Sequence, residues 1–291
     1  MKRQVSFLVA ALAAVGVAAA PANAQPLAPA DAAVSSNWSG YAISAPGTSF
    51  TDVKGTWVQP TATCTGKTAT YSSFWIGLGG SNIGAQGLEQ AGTSSDCQAN
   101  GQSVSYAWYE LIPAPPVIVP LTVSPGDTIT GDVSVIGTTA TFLLTNVTTG
   151  QTFSTQEAVT ALDVSSAEWI AEAPAQCSSI VVGRCTVLPL ANFGTVLFSS
   201  ASATVNDYTG TISDPTWMFT SIKLGGGPNE SAAAPSDLSA DGTSFSIAWL
   251  ATGGFLDKNK TAAKPKVKAK PKPKAKPKPK PKPKAKASKA K

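Results

Sequence analysis

The sequence predicts an all-β fold, an antiparallel sandwich of two large sheets, and three observations support it. Short runs rich in Val, Ile, Thr and aromatic residues follow one another along the chain, and Gly, Pro, Asn, Asp or Ser separate them. These runs are regularly spaced, which is typical of sandwiches. Helical periodicity is weak, and its one candidate, residues 156–164, is short enough for a loop or a single turn.

The amino terminus is typical of a secretory signal over residues 1–24. A charged start and the apolar run VSFLVAALAAVGVAAA precede an A-x-A cleavage site at residues 22–24. The run is short and ends in small residues and proline, which favours cleavage over a transmembrane helix. We therefore expect a secreted mature chain that begins near Gln25, with a short N-terminal segment at residues 25–35.

The β-sandwich domain is expected over residues 36–257, a length that suits one all-β domain. Ten segments within it have the composition of strands. In chain order they are TDVKGTWVQPT, ATYSSFWIGLG, VSYAWYELIP, DTITGDVSVIG, TATFLLTNVTTG, QTFSTQEAV, AEWIAEAP, TVLFSSASATV, TWMFTSIKL and SFSIAWL.

The carboxyl terminus, residues 258–291, is predicted to be a disordered tail. From residue 261 onward it holds fourteen lysines and no acid, with proline at nearly every other position. Residues 25–257 contain four basic and seventeen acidic residues, a net charge of 4 − 17 = −13. We expect the tail to bind an anionic cell-surface polymer and no specific nucleic acid. The acidic domain repels itself less at low pH.

Four cysteines lie in the expected mature chain, at Cys64, Cys97, Cys177 and Cys185. An even number in a secreted chain predicts two disulfides, for which three pairings are possible. A Cys177–Cys185 bridge would close the short loop CSSIVVGRC and leave the other two cysteines to pair. No metal site is expected, because the chain has no histidine and no C-x-x-C motif.

Alternation along the predicted strands indicates which side chains share a face. Several strands place a polar side chain beside a tryptophan, a glycine or a second polar residue. Such a face is either an ordinary solvent contact or a concave sheet that binds a substrate. The pairs that share a face are Glu168 and Glu172, Trp108 and Glu110, Leu88 and Gln90, and Trp75 and Gly77.

The lack of histidine excludes Ser-His-Asp and Cys-His catalysis, so carboxylate chemistry remains. A glycosidase would use two acids across a sugar bond, such as Glu110 and Glu172. Paired aspartates of an aspartic protease are not indicated, because D-T-G and D-S-G are absent. The third scheme joins one glutamate to a neutral amide.

The motif SNWSGYA at residues 36–42 closely resembles the amino-terminal motif of the glutamic peptidases, or eqolisins, the family of scytalidoglutamic peptidase. Five further motifs follow in the family's order: FWIGLGG, LEQAGT, AWYELIP, NVTTGQ and AEWIAEAP. The resemblance implies a double antiparallel sheet similar to concanavalin A-like lectins. It also implies a short disulfide between Cys177 and Cys185, whereas Cys64 and Cys97 match no pattern of the family.

The same resemblance implies site residues. Gln90, in LEQAG, and Glu172, the second acid of AEWIAE, match the catalytic pair. Trp38, Trp75 and Glu110 match residues that bind substrate or support the site. Glutamate titrates near ~4.3 when unperturbed, so a base of this type suits an acidic medium.

The sequence therefore predicts a secreted acid endopeptidase that acts on proteins or peptides without a metal or cofactor, as a monomer. Glu172 would be the general base and acid, and Gln90 would stabilise the oxyanion. Two alternatives stay open here: a lectin-like polysaccharide-binding module, and a glycoside hydrolase that uses Glu110 and Glu172.

Overall fold

The structure is a computed structural model, and all of its described residues belong to the unit Met1–Phe255. The predicted signal and the predicted Lys/Pro tail lie outside the described residues. None of the described residues is helical, so this part of the chain has no helix that is long and apolar enough to cross a membrane. The described residues are 31–82, 85, 87–177, 185–225 and 232–251.

One layer of the fold carries the residues singled out from the sequence, and we call it the cleft sheet. Its strands are antiparallel, and each pairs with the next in the order given. They are β16 (Met218–Leu224), β2 (Trp38–Ser44), β11 (Ser166–Glu172), β4 (Ser73–Leu78), β5 (Leu88–Cys97), β6 (Ser103–Ile112) and β7 (Val117–Val119).

The second layer continues from β16 through β17 and completes the predicted sandwich. It packs against the cleft sheet, with β3, β8 and β9 lying over β4 and β5. Its strands, in spatial order, are β17 (Ala232–Pro235), β18 (Phe245–Leu250), β14 (Thr195–Val205), β3 (Phe50–Val58), β8 (Thr128–Ile136), β9 (Thr139–Asn146) and β10 (Gln151–Ala158).

Four short strands complete the described fold. β1 (Asp31–Ser35), which precedes the predicted start of the domain, pairs in parallel with β16. β15 (Tyr208–Gly210) pairs with β14. β12 (Ala175–Cys177) and β13 (Cys185–Val187) form a separate ribbon.

The core between the layers is built from large side chains, among them Trp57, Phe74 and Trp169, which are 0% exposed. Trp169 also joins the layers by a hydrogen bond, because its Nε1 donates to the carbonyl oxygen of Lys54 at 2.7 Å. Gly55 makes room for this indole, since a Cβ there would lie 2.9 Å from Cδ1 of Trp169. The core thus holds β11, which carries Glu172, firmly against β3.

All ten predicted segments contain a strand, but β2 and β5 were not among them. β5 has few apolar residues, yet all ten of its residues are buried. Apart from Glu89, its polar side chains make hydrogen bonds inside the protein. Thr93, for example, accepts a hydrogen bond from Trp57 Nε1 at 2.8 Å, and Ser95 Oγ accepts one from the Ala62 amide at 3.0 Å.

The four cysteines form two disulfides. Cys64 pairs with Cys97, which ties the segment before β4 to the end of β5, and Cys177 pairs with Cys185 across the β12–β13 ribbon. Of the three possible pairings, the structure has this one, and it leaves no free cysteine among the described residues.

Candidate active site

The faces of the cleft sheet follow the predicted alternation. On β4, Phe74 and Ile76 point into the core, whereas Trp75 belongs to a second apolar cluster on the outer face. On β11, Trp169 points inward and Ile170 joins that outer cluster. Glu172 is two residues beyond Ile170 and therefore projects from the outer face.

Strand register sets the spacing of the candidate residues. Gln90 on β5 lies opposite Gly77 on β4 and opposite Glu110 on β6. Glu172 lies opposite Ser73, at the other end of β4. Trp75 is midway between Ser73 and Gly77 and on the same face. Its indole therefore lies between the glutamate and the glutamine.

Glu172 is half-buried, and both of its carboxylate oxygens accept hydrogen bonds. Trp75 Nε1 donates to Oε2 at 2.8 Å, and Asn37 Nδ2 donates to Oε1 at 2.9 Å. Two N–H donors orient the carboxylate and stabilise its charged form.

Asn37 is itself held in place. The Ser35 hydroxyl donates to Asn37 Oδ1 at 3.3 Å and accepts from the backbone amide of Trp38 at 3.0 Å. The sequence identified Trp38 but gave Asn37 no role in the site. The available signal was its position in SNWSG, next to the residue that the β2–β11 register sets opposite Glu172.

Gln90 is 3% exposed and is fixed by its neighbour on β6. Its Nε2 donates to Glu110 Oε2 at 2.6 Å. An amide nitrogen carries two protons, so this bond leaves one N–H of Gln90 free to donate. Gly77 makes room for the Gln90 side chain, since a Cβ on Gly77 would be 3.1 Å from Cβ of Gln90.

A single open cavity of about 470 Å³ connects these groups. Four of the five predicted site residues line this cavity: Trp38, Gln90, Glu110 and Glu172. The fifth, Trp75, lies beneath it. The other lining residues are Asn37, Ser73, Leu88, Ser94, Tyr106, Trp108, Ile112, Pro116, Ile118, Pro174, Ala175, Cys177 and Cys185.

Aromatic rings and a disulfide shape the walls. Trp38 packs edge-on against Trp75, with ring centroids 5.0 Å apart. The proline-rich segment after β6 supplies Pro116 and Ile118, and the Cys177–Cys185 bridge forms part of the rim. Sequence reasoning did not identify this wall, because it depends on how loops return to the sheet.

The two carboxyl groups of the cavity titrate well above an ordinary glutamate. Burial raises the pKa of Glu110 to about 7, against the hydrogen bond from Gln90. Burial also raises the pKa of Glu172 to about 7. The charge of Glu110 adds to that rise, and the hydrogen bonds from Trp75 and Asn37 oppose it. The carboxyl group of Glu110 is therefore near enough to raise the pKa of Glu172.

Two further glutamates lie behind the cavity wall. Glu168 is 0% exposed and Glu89 is 1% exposed, and neither carboxyl group has a hydrogen-bond partner among the described residues. Burial raises the pKa of Glu89 to about 8 and that of Glu168 well above its usual value, and the charge of Asp163 adds to both effects.

The described residues contain no group of three His, Cys, Asp or Glu side chains that could hold a metal ion. The chemistry that the cavity itself offers is that of two interacting carboxyl groups, an amide donor and hydroxyl groups.

Comparison with known proteins identifies the family. The model of the peptidase A4 family matches residues 36–248. Among curated proteins, no match was found. A scytalido-glutamic peptidase solved with a transition state analog inhibitor is similar in structure, with 26% identity over 74% of this chain and 98% of that one and a TM-score of 0.61.

Two other solved structures are similar. SCP-B, a member of the eqolisin family in complex with the tripeptide Ala-Ile-His, has 26% identity over 74% of this chain and 98% of that one, with a TM-score of 0.56. Aspergilloglutamic peptidase from Aspergillus niger has 24% identity over 62% of this chain and 99% of that one, with a TM-score of 0.50. The family match covers most of the chain, and the chain belongs to the peptidase A4 family of glutamic-type endopeptidases.

Proposed function

We propose that the protein is a secreted acid endopeptidase that cleaves peptide bonds by direct attack of water, with Glu172 and Gln90 as its catalytic residues. The observation that carries this proposal is that the two side chains line one cavity, each held by hydrogen bonds from the cleft sheet. Family membership favours peptide hydrolysis over the lectin and glycoside hydrolase alternatives.

Glu172 acts first as a base and then as an acid. In its ionised form it takes a proton from water while the water oxygen bonds to the scissile carbonyl carbon. It returns that proton to the amide nitrogen as the carbon–nitrogen bond breaks. The hydrogen bonds from Trp75 and Asn37 hold the carboxylate in one orientation through both steps.

Gln90 stabilises the negative charge that develops on the carbonyl oxygen. One N–H of its amide is engaged by Glu110, and the other donates to the oxyanion. Glu110 is thus a supporting residue that aims Gln90.

A peptide is the substrate class that the cavity suits. It is open and lined by aromatic and apolar side chains with few polar groups, as in pockets that hold extended ligands. Two similar proteins were solved with peptide-like ligands: a scytalido-glutamic peptidase with a peptide based transition state analog, and SCP-B with a tripeptide.

The direct test is digestion of an unfolded protein at several pH values from 3 to 7 with pepstatin and a chelator present, because a pKa of about 7 leaves more of Glu172 ionised as the pH rises. We expect internal cleavage that neither inhibitor reduces, with peptide fragments identified by mass spectrometry. Release of reducing sugar from polysaccharide without proteolysis would instead support the glycosidase alternative, and binding without turnover the lectin alternative.

The pH dependence of kcat/KM tests the base more closely. Trp75→Phe removes the N–H donor of Glu172 Oε2, which raises the pKa of this carboxyl group. We expect the acid limb of the profile to move to higher pH by roughly one pH unit. Trp108→Phe is the matched control, since Trp108 Nε1 donates to Ser94 and not to Glu172. A limb that moves equally in both variants contradicts the assignment of Glu172 as the base.

Secretion and surface attachment are proposed from the two chain ends. Protein recovered from the medium should begin near Gln25, as amino-terminal sequencing would show.

The lysine-rich tail, of opposite charge to the acidic domain, should bind an anionic cell-surface polymer. We expect binding of the full chain to polyglutamate beads to weaken steeply between low salt and ~1 M salt, because screening shortens to ~3 Å there. Salt-independent binding would exclude this electrostatic role.

A further inference from the structure

Glu168 is a fully buried acid that the proposed reaction does not use. On β11 it lies opposite Gly77 of β4, and Gly77 lies opposite Gln90 of β5. Directly opposed residues of neighbouring strands project from the same face of a sheet. Glu168 and Gln90 therefore share the cleft face, with Gly77 between them and Leu88 Cδ1 3.1 Å from where a Cβ on Gly77 would lie.

Each of the two side chains also has oxygen atoms without a hydrogen-bond partner. Among the described residues, Oε1 of Gln90 and both carboxyl oxygens of Glu168 have no partner. Leaving a buried polar atom unpaired costs ~1–3 kcal/mol, so such atoms are usually satisfied. Neighbouring strands are about 4.8 Å apart. The two side chains do not bond directly, and one buried water could bridge the two-strand gap between them.

We propose that Glu168 is a positioning residue, whose protonated carboxyl group is hydrogen-bonded to Oε1 of Gln90 through one buried water. This inference rests on the proposed role of Gln90. With Glu110 accepting from Nε2 and Glu168 donating to Oε1 through the water, the amide of Gln90 is held at both ends. The free N–H of Gln90 then points into the cavity. The alternative orientation, with the amide oxygen and nitrogen exchanged, is disfavoured.

The surroundings of Glu168 keep the carboxyl group neutral. Burial raises its pKa well above the usual value, and the charges of Asp163 and Glu89 act in the same direction. The Ser166 hydroxyl, which is two residues away on the same face and is itself buried without a partner among the described residues, opposes them. A carboxylic acid held neutral in this way is a hydrogen-bond donor, which an ionised one is not.

The test compares two substitutions of Glu168 in the full chain. Glu168→Leu removes the donor, and we expect kcat to fall roughly 10- to 100-fold with little change in KM, because the oxyanion donor is misplaced. Glu168→Gln keeps an N–H donor of the same shape and should retain kcat within ~3-fold. Equal losses in both variants, or no loss in Glu168→Leu, overturn the proposal.

Glu89→Leu is the matched control, because Glu89 is equally buried and unpaired but lies opposite Leu78, on the core face. It should leave kcat unchanged, and a loss as large as that of Glu168→Leu counts against a specific role. If Glu168→Leu does not fold, the test is the decline of kcat at high pH, compared between Glu168→Gln and the parent. We expect Glu168→Gln to keep its activity to higher pH than the parent, whereas an identical limb overturns the proposal.

Gln90→Ala separates this inference from the proposed function. A loss in Gln90→Ala with full activity in Glu168→Leu overturns the positioning role alone. Full activity in Gln90→Ala overturns the proposed function itself.

Discussion

Replacing Glu172 with glutamine should lower kcat/KM roughly 10³- to 10⁴-fold. Glutamine has nearly the same shape, and it can still accept a hydrogen bond from Trp75 or Asn37 through its oxygen. It cannot take a proton from water or return one to the leaving amine. The loss therefore isolates proton transfer from the packing of β11.

Gln90→Ala should cost less, about 10²- to 10³-fold, because it removes one oxyanion donor and leaves the base in place. The loss should appear mainly in kcat, since the donor acts on charge that develops only in the transition state. Gln90→Glu is informative as well. It keeps the shape but adds a negative charge beside Glu110 and the developing oxyanion, and it should be at least as inactive as Gln90→Ala.

Asp207→Asn is the matched control for an acid-to-amide change. Asp207 is exposed in the turn before β15, and its φ of 66° is one that asparagine accepts readily. We expect its activity to equal that of the parent. Activity of Glu172→Gln within tenfold of the parent would show that another group is the base, and Glu110 would be the next to test.

The sequence was sufficient for ten of the strands and for the face that each catalytic candidate occupies. Period-two alternation places Trp108 and Glu110 on the same face of β6. The structure agrees, because Ala107 belongs to the core cluster on one face and Trp108 to the outer cluster on the other. β5 escaped this reasoning because its burial is compensated by hydrogen bonds rather than by apolar side chains. Composition alone does not reveal such a strand.

The sequence also did not reveal how strands that are far apart in the chain pair with one another. The sequence showed that Glu168 and Glu172 share a face, but not that one is 0% exposed while the other borders the cavity. The two acids also lie opposite different residues of β4, Gly77 for Glu168 and Ser73 for Glu172. The hydrogen bond from Asn37 to Glu172 likewise joins residues 135 positions apart, at the end of a strand pair that no local pattern specifies.

Neutral pH should destabilise the folded protein, and this is the second large effect that we expect. Several buried acids keep their proton in the folded state at a pH where an unfolded chain has lost it. For each of them burial is the first cause of the raised pKa, and no Lys or Arg side chain among the described residues lowers it. They are Glu89 (about 8), Glu110 and Glu172 (both about 7), and Glu168, whose pKa is raised well above its usual value.

The sign follows from proton linkage. Between the unfolded pKa, near ~4.3, and the folded values the native state binds more protons, so the free energy of unfolding falls as pH rises. Each such group contributes about 1.4 kcal/mol of loss per pH unit in that window. Below about pH 4 both states are protonated and the contribution levels off. The net charge of −13 over residues 25–257 acts in the same direction, because its self-repulsion grows as carboxyl groups ionise.

Urea unfolding at pH 4.5 and pH 7.5, with both disulfides intact, measures this loss, and Glu89→Gln identifies one of its sources. Glutamine has no proton to lose, so the variant should lose less stability between the two pH values and exceed the parent at pH 7.5. Asp207→Asn removes an exposed acid and should follow the parent. Parallel slopes for Glu89→Gln and the parent would mean that Glu89 does not hold its proton in the folded state. A protein with the expected slope is most stable in an acidic medium, and it unfolds more easily once that medium is neutralised.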